Sequence, residues 1–390
     1  MIITKNFRHD LLYRVIDETL EMQIIENIVK PSFDRLKKIN SLGLLPEIIE
    51  MAKYSKYEHA IGSIYQINCL LDNDEKDGIK RIDKKYYRPL KISAEFLHLG
   101  HFPYTYSTER ALLLAFNVCD DEKIMRDKER IKKKIEKSLH LLDIDDKQKD
   151  EFTEKIFSME NYKFLYKVLS ANLLLENWNK FYSKFKGEKL IDSDKKIMVD
   201  NLININSDGF NYLFLTDMTD YVQRDALYFG TIKIDISPKH LYPKALEDIK
   251  NVTAEEELLT QNLEYLKDAF YTAPQVLSFT QLYEKIVAAI IISPKFNSQW
   301  LSEYDDTSFR WLICEGKDSY NKKIGLPEEW IERADKLFKK QLSFDLVFRI
   351  KGVQLSKEKI MVDIEHGIKD QKNQKRSYYH IHFIQEFSYV

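Results

Sequence analysis

The sequence is poor in the residues that staple or punctuate a chain. Its 390 residues include three cysteines, Cys69, Cys119 and Cys314, far apart and without CxxC spacing. That pattern excludes a structural zinc finger or a thioredoxin-like pair and points to reduced thiols. Eleven glycines and nine prolines are too few for a hairpin-rich all-β chain, in which each tight corner asks for its own turn residue. No repeat of fixed period and no Gly/Ser- or Pro-rich linker divides the chain. The most apolar stretch, IVAAIIIS at Ile286–Ser293, falls well short of the roughly 20 residues that span a bilayer. The N-terminal segment carries charges every few residues where a signal peptide would have an apolar run, so a soluble cytoplasmic protein is expected. An excess of either charge is also missing. Lys+Arg number 60 against 62 Asp+Glu, a formal charge of -2, and no global field draws the chain to nucleic acid or membrane.

What the chain has in quantity is material for a helical core. Hydrophobic residues make up 44% and aromatic residues 13%, enough for one large core or two ordinary ones. Ile24, Ile25, Ile28, Val29, Phe33 and Leu36 recur at three- and four-residue spacings, and Gly43 breaks the pattern. Glu58–Leu71 repeats the signal, Ile92–Leu99 forms another buried helix, and Asn211–Gly230 has helical period with several aspartates on it. The charged stretch between Asn73 and Asp83 reads as an exposed loop. Residues Asp120–Asp150 alternate acids and bases at i,i+4, the mark of a solvated helical face. TIKIDI after Gly230 alternates like a short strand. Beyond about Leu326 alternation and aromatic enrichment predict a small α+β appendage, so the expected organisation is a helical domain over 1–325 and an appendage over 326–390. In that tail His380 and His382 share a strand face, while His140 and His240 have no partner nearby in sequence.

Three blocks carry the functional reading: Phe33–Ile67 with YEHAIG, Ser93–Ala115 with FLHLGHFPYTY, and Thr216–Gly230 with TDMTDYVQRDALYFG. Together they resemble the HD-domain phosphohydrolases, in the branch of the deoxynucleoside triphosphate triphosphohydrolases. The resemblance covers roughly Ile24–Cys314 and implies a mainly α fold with an HD-type helical core. It also implies one divalent metal (Mg, Mn, Fe, Co or Ni) that orients water and neutralises phosphate oxygens. His59 matches the first metal histidine and Asp217 the last metal aspartate. Where the family has a His-Asp dipeptide, this chain has Leu97-His98-Leu99. Without a gap the dipeptide has become Leu97-His98; with a one-residue deletion the histidine survives as His98 and its aspartate is gone. Either way an anionic ligand is missing, and His59, His98 and Asp217 form a two-His-one-carboxylate set. Glu95, three residues before His98, is a further ligand candidate.

Other positions have also changed. Lys56 stands for the family's phosphate-binding Arg and keeps the charge without the bidentate fork. Ser41 replaces a Gln that reads the sugar hydroxyl, Tyr106 replaces a histidine of the catalytic region, and Met218 replaces a basic phosphate contact. His101, with Lys56, remains for catalysis. Tyr221, Arg224 and Asp225 match residues that line the sugar, although Asp220, Arg224 and Asp225 form an equally good helix-packing ion-pair cluster. The resemblance therefore implies a nucleotide-binding or regulatory dNTPase-like protein with a remodelled metal centre and weak or lost hydrolysis, acting on a nucleotide or dNTP and assembling as a homo-oligomer. Two alternatives stand beside it: an active divergent metal-dependent nucleotide phosphohydrolase, and a structural partner subunit.

Overall fold

Helix boundaries fall where the local chemistry puts them. In the computed structural model the described residues are 7–17, 19–50, 53–77, 83–158, 164–185, 190–230, 254–339, 348–350 and 353–355. Among them the chain is mainly α. Helix α1 (Leu20–Ile28) is capped by Thr19 and α2 (Lys30–Leu36) carries proline in its first turn. Then come α3 (Lys56–Asp77), α4 (Tyr87–Phe96), α5 (Tyr106–Val118), α6 (Glu122–Leu139) and α7 (Asp146–Phe157), the last opened by an Asp145–Gln148 capping box. Helices α8 (Leu165–Lys184), α9 (Asp192–Ile203) and α10 (Asp208–Tyr228), the last capped by Ser207, complete the first part. After α11 (Ala254–Leu266) the chain makes a π-helical turn at Lys267–Tyr271, and Pro274 starts α12 (Pro274–Ile292). Short α13 (Trp300–Glu303), α14 (Asp306–Glu315), ended by left-handed Gly316, and α15 (Glu328–Phe338) follow. Side-chain caps of this kind satisfy the otherwise unpaired first-turn N–H groups.

Helix α3 is central: it packs on α4 and α10, while α9 packs on α4, α8 and α10. One continuous core runs from Ile25 and Phe33 through Ile64, Leu70, Phe96 and Val222 to Ile290 and Phe309, all almost fully buried. Helix α15 belongs to this body. It packs on α12 and α14 and adds Ala334, Leu337 and Phe338 to the same core.

Strand content among the described residues is small. An N-terminal antiparallel hairpin, β1 (Phe7–Asp10) with β2 (Arg14–Asp17), precedes the helices and pairs Asp10 with Arg14. A second pair, β3 (Phe348–Ile350) with β4 (Val353–Leu355), is the part of the expected appendage after α15 that is described. The expected strand TIKIDI, His240, His380, His382 and the aromatic C-terminal run lie outside the described residues. The loop expected from Asn73 begins later than the charge pattern suggested. Helix α3 continues to Asp77, because Glu and Lys are good helix formers and a charged composition alone does not stop a helix.

The α5–α12 contact holds a buried acid away from the candidate site. Thr108 Oγ1 meets the Tyr283 hydroxyl at 2.6 Å, and next to it Glu284, 5% exposed, lies 3.2 Å from Arg110 Nε. Burial pushes the Glu284 carboxyl up to about 7, against the pull of Arg110 and Lys285. A carboxyl whose folded pKa exceeds its unfolded value contributes stability that is complete below the unfolded pKa and lost as pH rises to the folded one. Glu284→Gln is therefore expected to remove a fall in unfolding free energy between about pH 4.5 and pH 7, leaving the variant about 3 kcal/mol more stable than the wild type at pH 8. Urea denaturation across that range checks it; parallel pH profiles for the two proteins would count against it.

Candidate metal centre

Two close approaches of backbone set up the site. On α3, a Cβ on Gly62 would lie 1.8 Å from Asp220 Oδ1, so glycine there lets the Asp220 carboxylate of α10 rest on the α3 backbone beside His59. After α4, a Cβ on Gly100 would lie 2.1 Å from the Tyr166 carbonyl oxygen, and the Gly100 N–H donates to Ser170 Oγ at 2.9 Å. This pins the segment carrying His98 and His101 against α8. The same segment continues into two left-handed residues, Tyr104 and Thr105, both at φ 51°. Such backbone costs about 1–3 kcal/mol per residue and is held here by Asp306, whose Oδ1 accepts the Tyr104 N–H at 2.7 Å. Gly43, at φ +59°, comes close to Tyr104 and Thr105 from the other side, where a Cβ would lie 2.8 Å from Thr105 Oγ1.

The result brings His59 from α3, His98 from the end of α4 and Asp217 from α10 to one point. His59 Nε2 and His98 Nε2 each lie 2.8 Å from the same oxygen, Asp217 Oδ1. One ligand atom from each residue falls within 4.8 Å of the others, and this is the one such group among the described residues. Both histidines are 1% exposed, while the Asp217 side chain keeps 15% of its surface open. The His98–Asp217 approach is close but lacks hydrogen-bond geometry, and neither ring nitrogen of His98 has a hydrogen-bond partner among the described residues. Burial pushes the His98 imidazole down to about 3 despite Asp217, so the ring is neutral at pH 7.

His59 differs. Its Nδ1 donates to Asp220 Oδ2 at 2.6 Å, the tautomer following from a carboxylate that only accepts. Burial and Lys56 lower its pKa, but Asp217 and Asp220 outweigh them and the net shift is upward. Ser63 Oγ adds a hydrogen bond to Asp217 Oδ1 at 3.1 Å. The Asp217 carboxyl is held well below the usual range: burial would raise it, and the two imidazoles more than reverse that. A carboxylate behind a ligating histidine, as Asp220 is behind His59, fixes the ring and strengthens it as a donor. The donor set thus suits a divalent cation.

Lys56, at the start of α3, is 3% exposed and makes no ion pair within 4 Å among the described residues; burial pushes it down to about 8 against the pull of Asp217, Asp225 and Asp220. His101 is fully buried, lies parallel to His98 with ring centres 5.6 Å apart, and stacks on Tyr166 at 3.8 Å. Both its ring nitrogens are without a hydrogen-bond partner among the described residues, and burial drives its pKa well below the ordinary value. Tyr106 stands edge-on to it at 5.4 Å.

The remaining sequence candidates sit around this centre in different roles. Tyr221 is edge-on to His59 at 6.3 Å. Arg224, fully buried, is engaged by Asp220 and Asp10; of the cluster weighed from the sequence its guanidinium makes the Asp220 pair, while its second carboxylate is Asp10 and not Asp225. Asp225, raised to about 6 by burial, accepts hydrogen bonds from the Tyr54 and Tyr271 hydroxyls. Ser41 donates its backbone N–H to Tyr54 O at 2.9 Å. Glu95 is buried on α4 and is not part of the convergent group; His140 is exposed at the end of α6; Met218 is buried in the core. Sequence reasoning missed Asp10, Tyr13, Tyr54, Gln66, Tyr166 and Tyr271, whose partners here, Arg224, Asp220, Asp225, Tyr13 and His101, lie mostly far along the chain from them.

No protein-family model matches the chain, and no curated protein matches it. Among the described residues no helix is long and apolar enough to cross a membrane.

Proposed function

We propose that this chain is a metal-dependent nucleotide-binding protein of the HD type, similar to the dNTP triphosphohydrolases but with a remodelled centre whose hydrolysis is weak or lost. The observation that carries the reading is the convergence of His59 Nε2 and His98 Nε2 on Asp217 Oδ1. Two imidazoles and one carboxylate leave coordination positions open and favour Fe, Mn, Co or Ni over Mg, which prefers oxygen. When bound, such a cation neutralises phosphate oxygens. His59 gives up its Nε2 proton to ligate and keeps its Nδ1 proton on Asp220. Lys56 supplies one ammonium beside the open face, a point charge suited to a phosphate. Asp225 and Tyr221, with Ser41 behind Tyr54, would meet the sugar side.

A second reading, an active phosphohydrolase, has one observation in its favour. His101 is a neutral, unpaired imidazole next to His98, the form a proton acceptor needs.

Protein purified without chelators is expected to carry close to one metal per chain, with His59→Ala and Asp217→Ala each losing it. Saturating metal is expected to add about 2–3 kcal/mol of stability at a hundredfold excess over Kd. Calorimetry should then show dNTP binding that needs the metal, with little phosphate released in the presence of Mg, Mn, Fe, Co or Ni. Rapid release abolished by His101→Ala would move the assignment to the second reading. A well-folded protein that takes up none of these metals would end both.

A further inference from the structure

The structure assigns the N-terminal hairpin to the metal centre: we infer that Tyr13 and Asp10 are positioning residues that hold Asp220, and through it the ligand His59, in the orientation that binds a divalent cation. The inference rests on the metal reading above and adds to it a part of the chain far from the ligands in sequence.

The Asp220 carboxylate is fully buried and accepts four hydrogen bonds among the described residues. Oδ2 accepts His59 Nδ1–H at 2.6 Å and Arg224 Nε–H at 3.1 Å; Oδ1 accepts Arg224 Nη2–H at 2.9 Å and the Tyr13 hydroxyl at 2.8 Å. Of the four donors, only Tyr13 comes from outside α3 and α10. Its hydroxyl also accepts from Gln66 Nε2 at 2.8 Å, seven residues and two helical turns beyond His59, and its ring lies 4.5 Å from that of Tyr65. The phenol is thus fixed at both ends, and burial beside Asp220 keeps it protonated and able to donate.

Asp10 secures the other half. Its Oδ2 accepts Arg224 Nη1–H at 3.0 Å, while its Oδ1 accepts the backbone N–H groups of Leu12 and Tyr13 at 2.8 and 3.0 Å. One carboxylate therefore shapes the hairpin turn that presents Tyr13 and also anchors the guanidinium that grips Asp220. Arg224 has no exposed surface, so it needs both acids. Without the hairpin Asp220 would lose one of its four donors and Arg224 one of its two carboxylates. The His59 ring would then be held by a looser partner, and supporting shells of this kind tune metal affinity about 10–100-fold.

Co(II) titration of the metal-free full chain, followed by its visible absorption, tests this with Tyr13→Phe and with Asp10→Asn, which keeps the acceptor of the turn. Leu11→Ala, at the exposed tip, is the control. Tyr13→Phe is expected to weaken Co(II) binding about tenfold and to shift its absorption bands, and Asp10→Asn to do likewise, with Leu11→Ala unchanged. If both variants lower only the thermal midpoint of the metal-free protein while binding Co(II) with wild-type affinity and spectrum, the hairpin is a structural brace and the inference is wrong. Failure of the wild type itself to bind Co(II) would sink the metal reading beneath it, a result recognisable before any variant is made.

Discussion

Asp220→Ala is expected to cost the fold about 3–5 kcal/mol, the largest loss of any single polar substitution in the site. The reason is the company the carboxylate keeps. His59, Arg224 and Tyr13 direct four hydrogen bonds at its two oxygens, and neither its own side chain nor that of Arg224 has exposed surface. Removing it leaves a buried guanidinium with Asp10 alone and a buried imidazole with Asp217 alone. Asp220→Asn does not rescue the site, since an amide offers one acceptor oxygen and turns an N–H₂ group toward donors. Both variants should lose metal, because the partner that orients His59 is gone. Asp220 also gives the wild type an acid limit. Burial raises its pKa, but Arg224 and His59 more than reverse this and leave it lowered. A carboxyl depressed on folding contributes stability that is present above its unfolded pKa and lost as pH falls through the folded one. Urea midpoints of wild type and variant should therefore stay apart from pH 7 down to about pH 4 and converge only as pH falls well below the ordinary aspartate value of 3.8. An Asp220→Ala protein as stable as the wild type at pH 7 would mean that the charge cluster contributes nothing.

Part of this arrangement is written locally and part is not. The helical periods of α1–α4 and α10, and the i,i+4 spacing of Asp220 and Arg224, can be read directly, because a helix places such residues on one face. His59 and Asp217 are recognisable from their blocks. His98 is legible only as a choice between two alignments, and both lead to the same imidazole. The hairpin leaves little trace: FRHD and RVID are four-residue strands rich in charge, too short for alternation to outweigh a helical or irregular reading. Its two contributions reach α10 across 207 residues for Tyr13 and 214 for Asp10, a distance at which a single sequence carries no pairing signal. The same holds for Tyr54 and Tyr271 on Asp225. The second of these projects from a π-helical turn, a feature with no local signature of composition. The burial of Lys56 is tertiary as well: three residues before a ligand histidine, its sequence position looks like an exposed helix start.

Gly62 is the position where sequence and structure predict opposite signs. An ordinary glycine in the middle of a helix is stabilised by alanine, by about 1 kcal/mol, and α3 is a 22-residue helix with Gly62 near its first third. The structure reverses the expectation. The added methyl would lie 1.8 Å from Asp220 Oδ1, 2.5 Å from its Cγ and 2.6 Å from Arg224 Nη2. None of these atoms is a free side-chain end, because Asp220 is held by four donors and Arg224 by two acids. Helix α10 must move away from α3, or the carboxylate must leave His59. Overpacking of this kind costs about 1–3 kcal/mol, more than the helical gain, so Gly62→Ala should be less stable than the wild type and should also bind Co(II) more weakly. A loss of stability without a loss of affinity would place the movement in the helix pair as a whole, with His59 and Asp220 travelling together. A gain in stability would mean that α3 and α10 do not approach as closely as the Asp220 hydrogen bonds require, and the locked carboxylate behind His59 would go with it.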